Sequence, residues 1–534
     1  MSKTNKRQNH IKQKPVGIKK VKTSESRCRL WKIPYLVLLF LALWVFCSFV
    51  YGSVFYMSQQ SSFFAFDKTL LFSVLNQDFA WLNVVGRFLL LSFHYPIFGG
   101  AVLSLMLTLS AWLLDYLLGL KGKTHWIAAL LPFAFLGYFV YLDYSVNYMR
   151  ETSVLMGWPA LVLLILAMAA GVKRIFTRKR ITAIYRVAKN NTGKEALLTC
   201  AVIVVAFVGF TWFSLDRREN IIKTCKMQRQ LELSDWEAMI GEAVSARRPA
   251  RSVAAYHALA LAETGQLENR LFEIIYDFPK TTVKASGMSE NDGISIYCND
   301  CDFYAGLVNS SYHGAMETFV KCGPQVLLLK YMARAAAMNG EGALCKKYLE
   351  ILSHCMVENK FVERFSAYAD DIELMHNDPE FAHVAAKMPL NDSFEQNYRA
   401  PYFIGYNVAL TEGRSEEALR TSIMACLYAK ETEFVRKAQL LRGMSLSPYL
   451  EQALMVQGVK NPQLLEGYGF DKRFVLSRLE SFIKEARPWM KNEKEGVAAL
   501  KENWKDYYPF YLYFQNLPAE QKVANHDKEK GGVN

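Results

Sequence analysis

The sequence predicts an all-α protein in two parts: an N-terminal transmembrane bundle of five helices, and a C-terminal region of helical repeats similar to tetratricopeptide (TPR) repeats. Three observations support this prediction. Long apolar runs occur only before residue 216, basic residues are concentrated between those runs, and helix pairs marked by glycine recur after them. Sustained alternation of apolar and polar residues with a period of two is absent, so a sheet is not expected.

The membrane prediction rests first on Ala196–Leu215, which reads ALLTCAVIVVAFVGFTWFSL and carries no charge. A helix rises ~1.5 Å per residue, so about 20 apolar residues cross a hydrocarbon core roughly 30 Å thick. The same criterion predicts spans at residues 33–51, 97–120, 126–144, 155–172 and 196–215. Residues 84–95 are apolar but include Arg87 and His94, and they are predicted to form an interfacial or re-entrant helix.

The distribution of charge predicts the orientation of these spans. The chain of 534 residues has 63 Lys and Arg against 50 Asp and Glu, but residues 1–214 alone hold 24 basic and 7 acidic side chains. With five spans and a cytoplasmic N-terminus, the inner segments carry 21 basic residues and the outer ones carry 3. Basic residues accumulate on the cytoplasmic side, so we expect a bacterial inner-membrane protein whose C-terminal region lies in the periplasm.

Composition sets the remaining boundaries. Residues 1–32 hold 11 Lys and Arg and one acid, Glu25, which predicts a disordered cytoplasmic tail that fixes the orientation. An arm for nucleic acid or anionic lipid is the alternative for this tail, but membrane lipid is the expected partner and nucleic acid is not. The transmembrane region then covers residues 33–215, the exterior helical region 216–517, and a second disordered tail 518–534.

Three similar stretches predict repeats in the exterior region: AETGQLENRL, AMNGEGALCKKYL and LTEGRSEEAL. Each follows a helix rich in small apolar residues, and their glycines, Gly265, Gly340 and Gly413, are 75 and 73 residues apart. That spacing is about twice the 34-residue period of a TPR unit. It predicts a helix, a glycine turn and a second helix packed antiparallel on the first. An irregular helical domain with coincidental glycines is the alternative.

The chain offers few motifs that carry chemistry. The Cys298-Asn-Asp-Cys301 stretch has neither the βαβ context of a redox motif nor a second ligand pair for zinc, and both a disulfide and two thiols remain open. Phosphate-binding glycine loops and zinc-protease signatures are absent. We therefore expect no cofactor and no bound metal ion.

Acidic residues near the membrane are the remaining candidates for catalysis. Asp115 lies close to Lys121 and is expected to reach the membrane interface. Asp67 and Asp78 lie in the first outer loop, and Arg87 follows in the interfacial segment. Membrane glycosyltransferases that use lipid-linked sugars often carry a catalytic acid in such a loop. The simpler interpretation is that these are solvated loop acids.

Four stretches carry a resemblance to a known group of proteins: SQQSSFFAFD, Trp236–Ile240, YHALALAETGQLENRLFEI and NSSYHGAMETF. With the order of the spans, they resemble a family of uncharacterised bacterial multi-pass inner-membrane proteins with a helical outer region. The resemblance extends over nearly the whole chain. It implies an inner-membrane anchor with a TPR-like exterior and no established activity, and it supplies no catalytic residues.

Two functions from different classes follow from the sequence. The first is a membrane protein without enzymatic activity, whose exterior repeats bind a protein or peptide in a scaffold or assembly role, since stacked helix pairs form concave surfaces. The alternative is a glycosyltransferase-like enzyme that acts at the outer face with Asp67 or Asp78, assisted by Arg87. A transporter is the weakest hypothesis, because the spans contain few buried polar groups.

Overall fold

The computed structural model describes residues 33–75, 80–120, 124–142, 152–178, 192–276, 296–388 and 415–515. Every regular element in these ranges is a helix, and no strand occurs in them. The predicted all-α class is therefore confirmed. The two predicted tails, 1–32 and 518–534, lie outside the described residues.

Eight helices occur in the described residues of the N-terminal part, here called the membrane-helix region. They are α1 Ile33–Val45, α2 Gly52–Gln60, α3 Lys68–Leu75, α4 Ala80–Leu90, α5 Pro96–Leu118, α6 His125–Leu142, α7 Val154–Arg178 and α8 Thr192–Arg217. Helix α1 continues through a π-helical turn, Phe46–Val50, and α4 through a 3₁₀ turn, Leu91–His94.

Four segments of these helices are long and apolar enough to cross a membrane. They are Ile33–Val50, Pro96–Leu118, Val154–Phe176 and Glu195–Arg217. These four helices fit a membrane protein. The remaining predicted span falls on α6, whose apolar stretch His125–Tyr141 is shorter and contains Pro132. The count of five spans therefore stays a prediction.

Contacts between helix ends give the directions of the helices. Arg218, directly after α8, donates from Nε to the Val140 carbonyl at 2.9 Å and from Nη2 to the Tyr141 carbonyl at 2.7 Å. Helices α6 and α8 therefore end on the same side. Lys173, near the end of α7, donates to the Tyr116 and Leu117 carbonyls at the end of α5, at 2.9 and 2.8 Å. Helices α5 and α7 therefore run together as well.

Asp115 of α5 joins three helices of this region, because its partners lie on α1 and α6. Its side chain is only 2 % exposed. The Tyr35 hydroxyl donates to Asp115 Oδ2 at 3.2 Å, and His125 Nδ1 lies 2.7 Å from Oδ1. Because Tyr35 and His125 begin α1 and α6, these two helices run opposite to α5. Two polar partners therefore hold Asp115 between these helices, and its expected position at the membrane interface stays a prediction.

The segment predicted as interfacial, residues 84–95, forms the end of α4, its 3₁₀ turn and Tyr95. Helix α4 packs along α7. The contact is close at Gly86, where an added Cβ would lie 2.4 Å from the Ser153 carbonyl oxygen. Gly86 therefore permits an approach that a larger residue would prevent.

Seventeen helices follow in the described part of the C-terminal helical region, which spans residues 219–515. The first nine are α9 Glu219–Glu232, α10 Trp236–Val244, α11 Arg251–Glu263, α12 Leu267–Arg270, α13 Ile296–Tyr304, α14 Val308–Cys322, α15 Val326–Met338, α16 Gly342–Ser353 and α17 Asn359–Asp370. The others are α18 Ile372–His376, α19 Ala382–Lys387, α20 Glu416–Ala429, α21 Phe434–Ala438, α22 Pro448–Gly458, α23 Lys472–Ala486, α24 Glu493–Trp504 and α25 Tyr508–Phe514.

Helices α13 to α17 pack in sequence, each against the next. Gly340 makes the turn between α15 and α16 with φ +76°, a backbone conformation that costs glycine little. Gly265 has a similar φ of +68°, but the helix after it is a single turn. Gly413 lies outside the described residues. Within the described residues, a helix, a glycine turn and a second full helix follow one another at Gly340 only among the three predicted sites. The TPR-like repeat therefore stays a prediction.

The aromatic C-terminal segment closes the region as a buried helix. Tyr511 of α25 is fully buried, and its ring packs on Phe272 and Tyr276 at centroid distances of 4.5 and 5.3 Å. The Tyr511 hydroxyl also donates to the Tyr428 carbonyl. Burying several aromatic rings stabilises the end of the fold, each pair adding roughly 0.5–1.5 kcal/mol beyond its buried area.

The membrane-helix region and the C-terminal region share one continuous hydrophobic core. The connection runs through α2, which packs directly on α9. Helix α2 follows the first membrane helix and is buried along nearly its whole length, including its polar end. This junction positions the cavity described next.

Candidate binding cavity at the junction of the two regions

Polar residues at the end of α2 are buried against the C-terminal region. Gln59 and Gln60 are 2 % and 0 % exposed. After them the chain is fixed by two backbone hydrogen bonds, from Val326 N to the Ser62 carbonyl at 3.1 Å and from Phe66 N to the His354 carbonyl at 3.3 Å. Buried amides need partners, so glutamines at this position imply a polar environment on the facing helices.

That environment is a buried ion pair. Lys330 Nζ on α15 lies 2.7 Å from Glu358 Oε2, just before α17, and the side chains are 13 % and 3 % exposed. Gln60 bridges them, because its Oε1 accepts from Lys330 at 3.0 Å and its Nε2 donates to Glu358 at 3.2 Å. The glutamine thus links the loop after the first membrane helix to a charge pair in the C-terminal region.

His94 of the membrane-helix region lies close to the same ion pair. Its Nδ1 lies 4.0 Å from Glu358 Oε1, and this nitrogen is buried without a hydrogen-bond partner in the described residues. Burial lowers the pKa of His94, and Glu358 opposes that shift. The imidazole is two residues before Pro96, where α5 begins. The polar cluster therefore lies immediately beside a membrane helix.

Glu232, the last residue of α9, carries a second carboxylate into this junction. The Tyr56 hydroxyl of α2 donates to its Oε2, and Gln228 Nε2 lies 3.4 Å from its Oε1. Burial raises the pKa of Glu232, while Lys330 and the Tyr56 hydrogen bond oppose the shift. No Lys or Arg nitrogen of the described residues comes within 4.0 Å of this carboxylate, so it has no ion-pair partner there.

Asp300 forms a third buried group, on α13. Its carboxylate is 0 % exposed and accepts from Tyr256 at 2.9 Å, Tyr331 at 2.7 Å and Arg334 Nη2 at 3.1 Å. The Arg334 guanidinium stacks over the Phe303 ring, 4.0 Å from its centroid. Burial raises the pKa of Asp300, and Arg334 opposes the shift.

These groups surround a cavity of about 280 Å³, here called the junction cavity. Its charged lining residues are Glu232, Asp300, Lys330, Arg334, Glu358, Lys360, Arg364 and Glu380. Its aromatic lining residues are Tyr304, Tyr331, Phe361, Phe365 and Phe381. Leu233, 71 % exposed, and Lys360 form part of an open rim. A concave site with aromatic walls and convergent polar groups is typical of a ligand-binding pocket.

Internal pairing accounts for most of the charge around this cavity. Lys330 pairs with Glu358, and Arg334 pairs with Asp300. Arg364 Nη1 lies 2.7 Å from Glu380 Oε2. Of the charged lining residues, Glu232 and Lys360 are left without an ion pair in the described structure. The cavity therefore offers one unpaired carboxylate and, at its rim, one unpaired ammonium group.

Two of the residues named from the sequence as catalytic candidates, Asp67 and Arg87, do not line this cavity. Asp67 caps α3: its Oδ1 accepts from Thr69 N at 2.8 Å, and its carbonyl accepts from Leu71 N at 2.9 Å. Arg87 Nη1 is 3.4 Å from the Phe63 carbonyl and is 8 % exposed. Asp78 lies outside the described residues. The catalytic hypothesis for these three residues stays a prediction.

The CxxC stretch lies in α13, with Asp300 between its cysteines. Cys298 and Cys301 are thiols rather than a disulfide in the structure. Cys301 is buried, and burial raises its pKa well above the ordinary value. Groups of three or more side chains that could hold a metal ion do not occur among the described residues.

Comparison with known families gives one match. A family model described as "Family of unknown function (DUF6057)" matches residues 27–187 and 137–515. The chain belongs to this family. The DUF6057 match includes both the membrane helices and the helices around the junction cavity. No curated protein and no solved structure matches the chain. The resemblance to an uncharacterised family is confirmed to this extent, while the bacterial source and the TPR-like region stay predictions.

The cavity residues of this DUF6057 member escaped the sequence reasoning, and one signal could have found them. Gln59 and Gln60 end a helix that directly continues an apolar span. Such amides require polar partners once they are buried. The partners, Lys330 and Glu358, are 270 and 298 residues away from Gln60. They belong to no short motif, so only the fold brings them together.

Proposed function

We propose that this protein is a bacterial inner-membrane protein that presents its C-terminal helical region in the periplasm and binds a peptide or a protein segment there. The junction cavity is the proposed site. The observation that carries the proposal is a membrane-proximal cavity with aromatic walls, three internal ion pairs and one unpaired carboxylate.

The proposed orientation is supported by charge and by helix direction. With α1, α6 and α8 running one way, the C-terminal region follows the end of α8 that lies opposite the basic segments. Lys173, one of the basic residues predicted to be cytoplasmic, lies at the far end of the bundle, against the end of α5. The positive-inside rule then directs the helical region outward.

A peptide is favoured over other ligands by the chemistry of the lining. Peptides carry charged termini and side chains of both signs along with apolar and aromatic groups, and helical and loop surfaces capture such groups in pockets. The cavity of about 280 Å³ is slightly smaller than the roughly 300–1,000 Å³ of drug-sized pockets. It therefore suits one or two residues of a partner rather than a folded surface.

The proposed orientation is tested with a reporter enzyme that is active only outside the cytoplasm. Fused after Asn534 of the full chain, the reporter is expected to be active. The same reporter fused before Met1 is the control and is expected to be inactive. A stable but inactive fusion at Asn534 would overturn the orientation.

The binding proposal is tested with a pool of random hexapeptides applied to the full-length protein in lipid nanodiscs, with bound peptides identified by mass spectrometry. Enrichment is expected for the wild type. It should be lost for Val357→Trp, which fills the cavity, and kept for Val320→Trp, whose position on α14 is 76 % exposed and does not line the cavity. Enrichment that Val357→Trp leaves unchanged would refute the cavity as the site.

A further inference from the structure

We infer that the Glu232 carboxylate recognises an ammonium group of the bound peptide, either a lysine side chain or a free N-terminus. This inference rests on the proposed function, because it names the chemical group of the peptide that the junction cavity binds.

The charges that line the cavity are unevenly paired. Glu358, Asp300 and Glu380 each have a cationic partner within 3.1 Å. Glu232 alone among the four lining acids has no such partner in the described residues. Lys330 acts on this carboxylate only from beyond 4.0 Å, so a ligand ammonium group in the cavity would form the close ion pair that the described residues do not supply.

Uncharged hydrogen-bond donors hold the Glu232 carboxylate in place. Tyr56 and Gln228 each direct a neutral donor at one of its two oxygens. Each carboxylate oxygen has further acceptor capacity, so both retain room for another donor. Glu232 is also accessible to solvent although its surroundings raise its pKa, which places the carboxylate at the cavity wall rather than in the core. These uncharged donors orient the Glu232 carboxylate but do not cancel its negative charge.

Apolar and aromatic side chains also line the cavity. Leu231 and Leu327 line the cavity beside it, and they suit the methylene stem of a lysine. Rings near the cavity already hold cations: Lys330 lies 5.6 Å from the Phe361 centroid, and the Arg229 guanidinium 5.5 Å from the Tyr56 centroid. A ligand ammonium at Glu232 would have similar cation–π partners.

Lys360 at the rim influences which end of the ligand enters the cavity first. Its ammonium group is exposed and has no ion-pair partner in the described residues. It would repel a second positive charge and attract a carboxylate at the entrance. The cavity therefore selects an amine that enters first, with neutral or acidic groups following it.

The experiment measures binding of four small probes to the full-length protein in nanodiscs by saturation-transfer NMR. Nα-acetyl-lysine methylamide tests the lysine side chain, and its Nε-acetyl derivative is the neutral control. Alanyl-alanine amide tests a free N-terminus, and its N-acetyl derivative is the control. The wild type is expected to prefer one amine over its acetylated control by about tenfold to a hundredfold, the range of a charged hydrogen bond.

Substitution of Glu232 decides whether this carboxylate is responsible. Glu232→Gln is expected to abolish the preference, whereas Glu480→Gln, an exposed position on α23, should keep it. Tyr56→Phe leaves the carboxylate in place and should weaken amine binding several-fold without removing the preference. It serves as the test if Glu232→Gln does not fold.

The outcomes separate this inference from the proposed function. Equal binding of amine and acetylated probes, or a preference that survives in Glu232→Gln, would refute the role of Glu232. If the peptide pool is still enriched in a cavity-dependent way but without lysine or a free N-terminus, only this inference fails. If no peptide is enriched, the proposed function fails as well.

Discussion

Gln60 Oε1 accepts a hydrogen bond from Lys330 at 3.0 Å, and this contact joins the loop after the first membrane helix to the C-terminal helical region. The residues are 270 positions apart. Through the 2.7 Å pair of Lys330 with Glu358, the contact also fixes one wall of the junction cavity. The two regions are therefore coupled by buried charge as well as by apolar packing.

Loss of Glu358 should destabilise the protein strongly. Glu358→Gln leaves the Lys330 ammonium buried without its counter-charge, and we expect the free energy of unfolding to fall by about 3 kcal/mol. The measurement is thermal unfolding of the purified full chain in detergent. The matched control is Asp370→Asn, which removes the exposed 2.5 Å pair with Lys346 and should cost less than about 1 kcal/mol. Equal losses for the two variants would contradict a buried, structural pair.

Glu232 is expected to lower stability at neutral pH. Its folded-state pKa is raised above the ordinary 4.5, so its contribution is fully present below pH 4.5 and is lost as the pH rises through the raised value. Glu232→Gln removes this titration and still accepts the Tyr56 hydrogen bond. The variant should match the wild type near pH 4.5 and unfold at a higher thermal midpoint than the wild type at pH 8. A midpoint below that of the wild type at pH 8 would show that the carboxylate stabilises the fold.

Gly100 should be intolerant of a side chain, because α5 passes very close to the π-helical turn after α1. A Cβ at this position would lie 2.2 Å from Ser48 Oγ and 3.1 Å from Ser48 N. Gly100→Ala is expected to lower the thermal midpoint in detergent, at a cost of about 1–3 kcal/mol. Gly209→Ala on α8 is the control, since a Cβ there meets nothing within 4 Å. Similar midpoints for the two variants would refute the close approach.

Gly342 in the C-terminal region should also be intolerant of a side chain. A Cβ at this first residue of α16 would lie 2.1 Å from the Ala369 carbonyl oxygen on α17. Gly342→Ala should destabilise the region by about 1–3 kcal/mol. Gly241→Ala within α10 meets nothing within 4 Å and should be neutral or stabilising by up to ~1 kcal/mol. Limited proteolysis of the full chain measures the loss, and unchanged cleavage of Gly342→Ala would contradict this packing.

The sequence was informative wherever a local pattern determines structure. Uncharged runs such as Ala196–Leu215 predicted helices of membrane-crossing length, and four of the five predicted spans meet that criterion. Glycine turns were also predictable: Gly265 and Gly340 both adopt positive φ. The partners of Asp115 could not be predicted, because Tyr35 and His125 lie on other helices.

The candidate site was beyond prediction for the same reason. Glu232 and Glu358 are charged residues in amphipathic helices, a pattern that usually indicates a solvated face. The burial of Glu358 follows from the position of α2 between the membrane helices and the C-terminal region, whereas Glu232 is an exposed residue that lines the cavity. Only Gln59 and Gln60 gave a local sign of it, as amides following an apolar span.

Photolabelling tests directly whether the junction cavity binds a ligand ammonium group at Glu232. A lysine amide with a diazirine in its side chain is irradiated with the full-length protein in nanodiscs, and modified residues are mapped by mass spectrometry. We expect labelling at Glu232 and at its neighbours Leu231 and Leu233. Excess lysine amide should suppress this labelling, and a diazirine alkane that lacks the amine should not label these residues. Labelling spread over the membrane helices, or unaffected by excess lysine amide, would contradict binding at Glu232.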